Sequence, residues 1–342
     1  MAEVENRLKE KYLILEKLSE KDIENKYGKN FNSLLANLLF VRGIKNKEDV
    51  ENFLYPKWED NLDPILFKDM KKVVERILLA IKNNEKILIF SDYDTDGIPG
   101  GVLMHDFFKK IGYKNFKNFI PNRNKDGYGL TVKSAKKIID GQIFLEENEK
   151  FIPDLVITVD CGISDIEGAK IFNKKNIDLI IVDHHIAFSE LPKSFGILNH
   201  KVESETYPQQ ILCGAGVSFK LVQALLKKAR DGKLDFMENI PEGWEKWLLD
   251  LVAISTVCDM VPLVGENRIF VKYGKKVLEK TQRVGLRQII ENSGIDKSNI
   301  SADDLGFMIG PRINAASRLE DPKIAFLALA ENNLIGIENA KM

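Results

Sequence analysis

Three apolar runs that each finish on an aspartate constrain this chain more than any other feature: KILIFSD, DLVITVD and DLIIVD. Two further β-rich runs, NFKNFIP and GILN, bring the candidate strands to five. Between them lie GVLMHDFFKKI, TVKSAKKIID and DIEGAKIFNKK, whose apolar residues recur at helical spacing. Short strands alternating with amphipathic helices predict an α/β fold, a parallel sheet sandwiched by helices. In such a sheet, functional side chains collect outside the carboxyl ends of the strands.

The flanks read differently. Residues 1–84 form an N-terminal helical region, with LLANLLFVRGI and VVERILLAIK at helical spacing and FLYPKWEDNLDP as a Pro-punctuated loop between them. Residues 85–265 are the expected α/β domain. Residues 266–342 are a helical extension and the start of an interdomain connector. KLDFMENIPEGWEKW stands out as an insertion or linker. Fifty basic residues against fifty-one acidic ones give a net charge of -1, which argues against non-specific coating of a polyanion but leaves a local basic groove open. Three separated cysteines without CxxC spacing suggest neither a disulfide framework nor a structural zinc site. No apolar run reaches membrane-spanning length, so the expected compartment is the cytoplasm.

In SDYDTDG, Asp92, Asp94 and Asp96 alternate. On an extended backbone they would share one face, about 7 Å apart, repelling one another unless a cation or donors compensate. The other strand ends add Asp160, Asp183, His184 and His185, and Asp259 closes the apolar helix DLVAISTVCD. Carboxylates and imidazoles without thiolate suit Mn²⁺, with Mg²⁺ the alternative where oxygen dominates. The surplus of carboxylates suits two ions sharing a bridging carboxylate. Cys161 and Cys258 adjoin these positions and read as small buried hydrophobes.

The ordered set DYDTDG, VDCG, VDHH and VCDMVPL resembles the DHH phosphoesterase superfamily. IPNRNKDGYGL, LCGAGVSFKL and GPRINAASRL, with the N-terminal helical blocks, resemble its RecJ-type single-strand exonuclease branch over roughly residues 35 to 330. The resemblance implies that Asp94 and Asp160, with Asp92, hold one ion, and that Asp96, Asp160, His184 and Asp259 hold the other. It implies that Asp183 orients an imidazole and that His185 meets the substrate phosphate or leaving oxygen. Arg312, Asn314 and Arg318 would bind the terminal phosphate of a strand, with Arg123 contributing and Tyr128 stacking on a base. CGAG at a helix start offers N–H groups that suit an anion or small residues for close packing.

The implied function is a two-metal phosphodiesterase acting as a single-stranded-DNA exonuclease, 5′ to 3′, releasing 5′-mononucleotides in repair and recombination. The alternative is a DHH phosphodiesterase for short oligonucleotides or cyclic dinucleotides. Replication or repair proteins are the implied partners, and the chain is expected to be a monomer. A non-catalytic scaffold fits poorly with the intact acidic set, and Phe90 stands where the pyrophosphatase branch carries a histidine. The chain departs from the RecJ pattern at Pro99 and Gly100, where a hydroxyl residue is usual. It departs again at Asn199 to Lys201 in place of Asn-Pro, and at Ser317 in place of glycine. It also ends before a GGH-type block of the DHH-associated domain.

Overall fold

The computed structural model describes residues 2–5, 11–14, 17–142, 150–319 and 321–342. Two compact units are present, Met1–Asn61 and Leu62–Met342.

The first unit opens with an antiparallel pair, β1 (Ala2–Glu5) and β2 (Lys11–Ile14). A wholly helical start was expected. AEVE alternates polar and apolar with period two and KYLI is rich in β-formers, so the local pattern favours pairing. Helices α1 (Glu20–Tyr27), α2 (Ser33–Val41) and α3 (Lys47–Leu54) follow. Ser19, Asn32 and Asn46 cap them by accepting from backbone amides in the first turn. Ile23, Tyr27, Ala36, Leu39, Ile44 and Val50 form their core, where the Tyr27 hydroxyl donates to the Ile44 carbonyl at 2.6 Å.

The second unit is built on a five-stranded parallel sheet: β3 (Ile87–Ser91), β4 (Phe116–Phe119), β5 (Leu155–Val159), β6 (Asp178–Val182) and β7 (Gly196–Leu198), in the order β4-β3-β5-β6-β7. These are the five strands the sequence predicts. The three predicted crossover helices appear as α5 (Gly97–Lys110), α7 (Val132–Ile139) and α8 (Ile166–Lys174), with a short turn α6 (Arg123–Asp126) before α7. Every residue of β3 and β5 is buried, as expected for central strands covered on both faces. The return from β6 to β7 is made by a connection without a helix, and His184 and His185 lie on it.

Helix α4 (Met70–Lys82), grouped by sequence with the N-terminal region, packs against β7 and α9 (Gly214–Asp231) of this unit. Helices α10 (Leu249–Cys258) and α11 (Gly265–Leu278) pack on each other, and α10 and α9 both lie against α5. The remainder comprises α12 (Val284–Asn292), a π-helical turn Asp304–Ile309, α13 (Gly310–Leu319), α14 (Pro322–Ala330) and α15 (Leu334–Lys341). No helix among the described residues is long and apolar enough to cross a membrane.

Candidate metal centre

Strand register brings the carboxylates together. Ser91 pairs with Val159, Val159 with Val182, and Val182 with Leu198, so the central strands end level. The ladder runs one residue further: Asp92 N–H donates to Val159 O at 3.1 Å, Asp160 N–H to Val182 O at 2.9 Å, and Asp183 N–H to Leu198 O at 3.0 Å. Asp92, Asp160 and Asp183 therefore stand in a row at the carboxyl edge, each no more than 2% exposed. Asp160 takes φ 61°, a left-handed conformation that costs a non-glycine residue free energy and that clusters at functional sites.

The extended-face reading of Asp92, Asp94 and Asp96 does not hold. The strand ends at Ser91 and the backbone turns at once into α5, whose N-cap is Asp96. Asp94 accepts from the amides of Asp96 at 2.8 Å and Gly97 at 2.9 Å, which closes this turn. Pro99 lies in the first turn of α5, where its missing N–H leaves nothing unsatisfied.

The turn sends the three carboxylates to two places. Ligand atoms of Asp92, Asp94 and Asp160 lie within 4.8 Å of one another, as do those of Asp96, His184 and Asp259. Asp160 and His184 join the two groups, with Asp160 Oδ1 standing 3.2 Å from His184 Nε2. Asp96 Oδ2 is 3.5 Å from the same nitrogen, and Asp259 Oδ2 is 3.7 Å from His184 Nδ1. Asp92 Oδ1, Asp160 Oδ1 and both ring nitrogens of His184 are buried without a hydrogen-bond partner. Orphaned polar atoms converging in this way carry a large desolvation cost that a divalent cation would offset. The donor set fits two such ions.

The electrostatics agree. Burial and the Asp94 charge push the Asp92 carboxyl up to about 8. Burial and Asp96 push Asp259 up to about 7. Burial, then Asp96 and Asp94, drive Asp160 well above the carboxylate range. Burial lowers the His184 imidazole, keeping it neutral and able to ligate. Asp183 behaves differently. Burial pushes it up, but donors from His185 and the Ile163 backbone outweigh that, and its carboxyl lies below the ordinary value.

The imidazole that Asp183 orients is that of His185. Its Oδ1 lies 2.8 Å from His185 Nδ1 and accepts from the amides of His184 at 2.7 Å and His185 at 3.1 Å. The bond to Asp183 raises the His185 imidazole. His185 Nε2 then faces the Tyr128 hydroxyl at 3.3 Å. The Tyr128 ring meets Tyr93 edge-on with centroids 6.3 Å apart, and the Arg123 guanidinium lies 5.7 Å from the Tyr93 centroid. Arg123, Tyr93, Tyr128 and His185 thus form one continuous aromatic and cationic wall beside the carboxylates.

The start of α9 resolves the two readings of CGAG. Asp96 Oδ2 accepts from Gly214 N–H at 2.6 Å and Oδ1 from Ala215 N–H at 2.8 Å, so the helix's anion is a carboxylate of the chain itself. Close packing applies as well. A Cβ on Gly214 would stand 2.7 Å from Asp160 Cβ and Oδ1. Gly100, a departure from the RecJ pattern, has the same basis: a Cβ there would stand 2.7 Å from Val159 Cγ1, leaving no room for a hydroxyl residue.

In α13, Asn314 and Arg318 are four residues apart and share a face. Asn314 Oδ1 accepts from Thr95 N–H at 2.9 Å, so Asn314 tethers the DYDTDG turn. Arg318 is exposed. Arg312 lies on another face, donating to Met308 O at 2.6 Å and lining a groove with Ile289 and Met342. Ser317 is buried and donates to Asn314 O at 2.9 Å within its own helix. Cys161 and Cys258 contact carbonyls of Val159 and Leu305. His200 is fully buried, bonded to Leu212 O at 2.8 Å and lowered to about 4 by burial, as a packing residue would be.

Sequence reasoning misses four supporting residues. Thr95 donates to Gly310 O at 3.1 Å and its carbonyl accepts from Ser255 Oγ at 3.1 Å. Asn199 donates to His185 O at 2.9 Å and so holds the DHH loop. Asp165 accepts from Leu130 N–H at 2.7 Å, which fixes the loop carrying Tyr128. Tyr93, only 8% exposed, links Arg123 to Tyr128. Asn199 alone carried a signal, following a strand end as Asp92, Asp160 and Asp183 do.

The family model described as "DHH family, N-terminal domain" matches residues 86–256, half of the chain. The single-stranded-DNA-specific exonuclease RecJ of Bacillus subtilis is 37% identical over 297 residues, covering 86% of this chain and 34% of that protein. The Escherichia coli RecJ is 31% identical, with coverage of 88% and 50%. Among solved structures, an exonuclease RecJ bound to manganese superposes with a TM-score of 0.68 at 27% identity, over 82% of this chain and 65% of that one. RecJ from Thermus thermophilus in complex with Mn²⁺ gives 0.69 at 25% identity, over 89% and 40%. The chain spans between a third and a half of the length of these two curated relatives, at 34% and 50%. On the match over the strands that carry every carboxylate of the sheet edge, the chain belongs to the DHH family.

Proposed function

We propose that this chain is a divalent-metal-dependent phosphodiesterase that removes 5′-mononucleotides from single-stranded DNA in the 5′ to 3′ direction, as part of repair and recombination in the cytoplasm. The observation that carries the reading is the pair of ligand groups, Asp92–Asp94–Asp160 and Asp96–His184–Asp259, joined where Asp160 meets His184, with orphaned buried atoms among them. The similarity to RecJ exonucleases, among them forms bound to Mn²⁺ and Mg²⁺, supports the substrate and the ions. Asp92, Asp94 and Asp160 would hold one Mn²⁺ or Mg²⁺, and Asp96, Asp160, His184 and Asp259 the other.

When bound, such ions supply a water of lowered pKa and neutralise charge building on the phosphoryl oxygens. The chain's own residues supply the rest. Asp183 holds the His185 ring with Nε2 turned toward the Tyr128 hydroxyl, so a protonated His185 can donate to a phosphate or leaving oxygen. Tyr128, 53% exposed, offers a face on which a base can stack. Arg123 and Arg318, both exposed, would take backbone phosphates, while Asn314 holds the acidic turn through Thr95.

The test is Mn²⁺-dependent release of mononucleotides from end-labelled single-stranded DNA, compared with duplex and with a dinucleotide. The proposal expects single-strand degradation that disappears in Asp160→Ala and His184→Ala. Cleavage confined to dinucleotides would replace it with the short-oligonucleotide reading. Equal residual activity in both variants would remove the metal-centre argument.

A further inference from the structure

The stretch KLDFMENIPEGWEKW has no part in the carboxylate centre. It folds as two 3₁₀ turns, Asp235–Met237 and Trp244–Leu248, ahead of α10. The second turn places Trp244 and Trp247, two of the chain's three tryptophans, on the wall of a cavity of about 500 Å³. That volume is in the range of small-molecule sites. Trp247 is 47% exposed. Leaving a large indole open to water forgoes hydrophobic stabilisation, and an open indole beside a cavity is what base stacking requires.

The other wall is of mixed charge, with two lysines at its rim. Lys109 and Lys110, the last residues of α5, are exposed at the cavity, and Lys109 Nζ is 3.5 Å from Glu331. Beneath them the Arg283 guanidinium is locked by Asp106 at 2.6 Å, Asp250 at 3.0 Å and the Leu329 carbonyl at 3.1 Å. The floor thus holds one guanidinium between two carboxylates, Lys109 is shared with Glu331, and Lys110 remains exposed at the mouth. Gln282 adds a neutral amide able to read a polar edge.

The cavity is remote from the metal centre by construction. Helix α5 starts at Asp96 and reaches the cavity at Lys110, so the two ends are about 20 Å apart by helical rise. Helix α10 runs the opposite way, with Asp250 at the cavity and Asp259 at the carboxylates.

We propose that this cavity is a second, non-catalytic site for a nucleobase with its attached phosphate, stacked by Trp244 and Trp247, with the phosphate met at the rim by Lys110. The same chemistry is offered by a free mononucleotide and by a nucleotide within a single strand. The choice of a nucleotide over other aromatic anions rests on the proposed nuclease function.

The experiment uses the full chain carrying Trp58→Phe, so that fluorescence reports Trp244 and Trp247, with EDTA present so that no cleavage occurs. A deoxynucleoside monophosphate, the deoxynucleoside, inorganic phosphate and a short single-stranded oligomer are titrated separately. Saturable quenching by the monophosphate or the oligomer is expected, at least about tenfold tighter than by nucleoside or phosphate alone. Tighter binding of the oligomer identifies a strand as the source, and tighter binding of the monophosphate identifies the free nucleotide. Lys110→Glu should weaken quenching at least about tenfold, and Trp247→Ala should do the same to binding followed by calorimetry. Absence of saturable quenching, or binding unchanged in both variants, overturns the proposal. An Asp160→Ala chain should bind as the parent does. The binding result therefore stands or falls separately from the hydrolysis test.

Discussion

Gly214→Ala is the sharpest perturbation of the metal centre that adds no charge and removes no ligand. The new Cβ would sit 2.7 Å from Asp160 Cβ and Oδ1, whereas relaxed carbon–carbon contacts lie near about 3.5–4.0 Å. Something must move by about 1 Å, and neither partner is free to move. Asp160 is tied through its amide to Val182 O at 2.9 Å, and the start of α9 is tied to Asp96 at 2.6 and 2.8 Å. Retreat of α9 pulls Asp96 away from His184, and retreat of Asp160 opens the bridge between the two ligand groups. The overpacking costs about 1–3 kcal/mol of stability, and a misplacement of about 1 Å in the reacting array lowers hydrolysis about 100-fold. Gly216→Ala is the matched control, because its Cβ meets Leu212 at 3.4 Å and Cys213 at 3.6 Å, ordinary contacts. It should be neutral to stabilising by about 0.5–1 kcal/mol, since alanine suits a helix better than glycine. The assay is thermal unfolding alongside Mn²⁺ calorimetry and single-strand hydrolysis for both variants. Full activity in Gly214→Ala, or equal damage in Gly216→Ala, would refute the argument that this contact holds the bridge in place.

Metal binding should depend on pH with a defined sign. Folded Asp92 and Asp259 lie at about 8 and about 7 against about 3.9 when unfolded, so the metal-free fold holds extra protons. Its stability contribution from these groups is complete below the unfolded value and is lost as pH rises through 7 to 8. Mn²⁺ replaces those protons, so its stabilising increment in thermal melts should grow from pH 6 to pH 8; an increment constant with pH contradicts the assignment. Thr95→Val removes the donor to Gly310 O at 3.1 Å and should cost about 1 kcal/mol, with a fall in Mn²⁺ affinity measured by calorimetry that a remote Thr→Val control lacks. The fully buried Lys220–Glu266 ion pair, which also takes the Tyr207 hydroxyl, predicts that Lys220→Met alone costs about 3–5 kcal/mol by stranding Glu266. Lys220→Met with Glu266→Gln should recover part of that in denaturant melts, and additivity of the two changes would count against a coupled pair.

The five strands were legible because each is a short apolar run whose composition is a local property, and three of the crossover helices were legible from their periodicity. The aspartates at strand ends were legible for the same reason, since parallel register places strand ends together whatever the intervening loops do. The turn after Asp92 was not legible. Spacing alone allowed an extended face, and the choice was made by Asp94 closing the turn and by the helix that begins behind it. Arg312 and Arg318 also looked equivalent as a pair flanking one block, yet the helical phase of α13 sends them to different surfaces.

Sequence by itself therefore determined the sheet, the edge on which chemistry would gather and the kinds of side chain gathered there. Tertiary structure decided how those side chains are shared out. Asp96 is bound by amides 118 and 119 residues away, Thr95 by Asn314 at a separation of 219, and Asp259 reaches His184 from the end of a helix outside the sheet. Such pairings depend on where whole elements pack, a global minimum of burial and satisfied polar groups that no local pattern encodes.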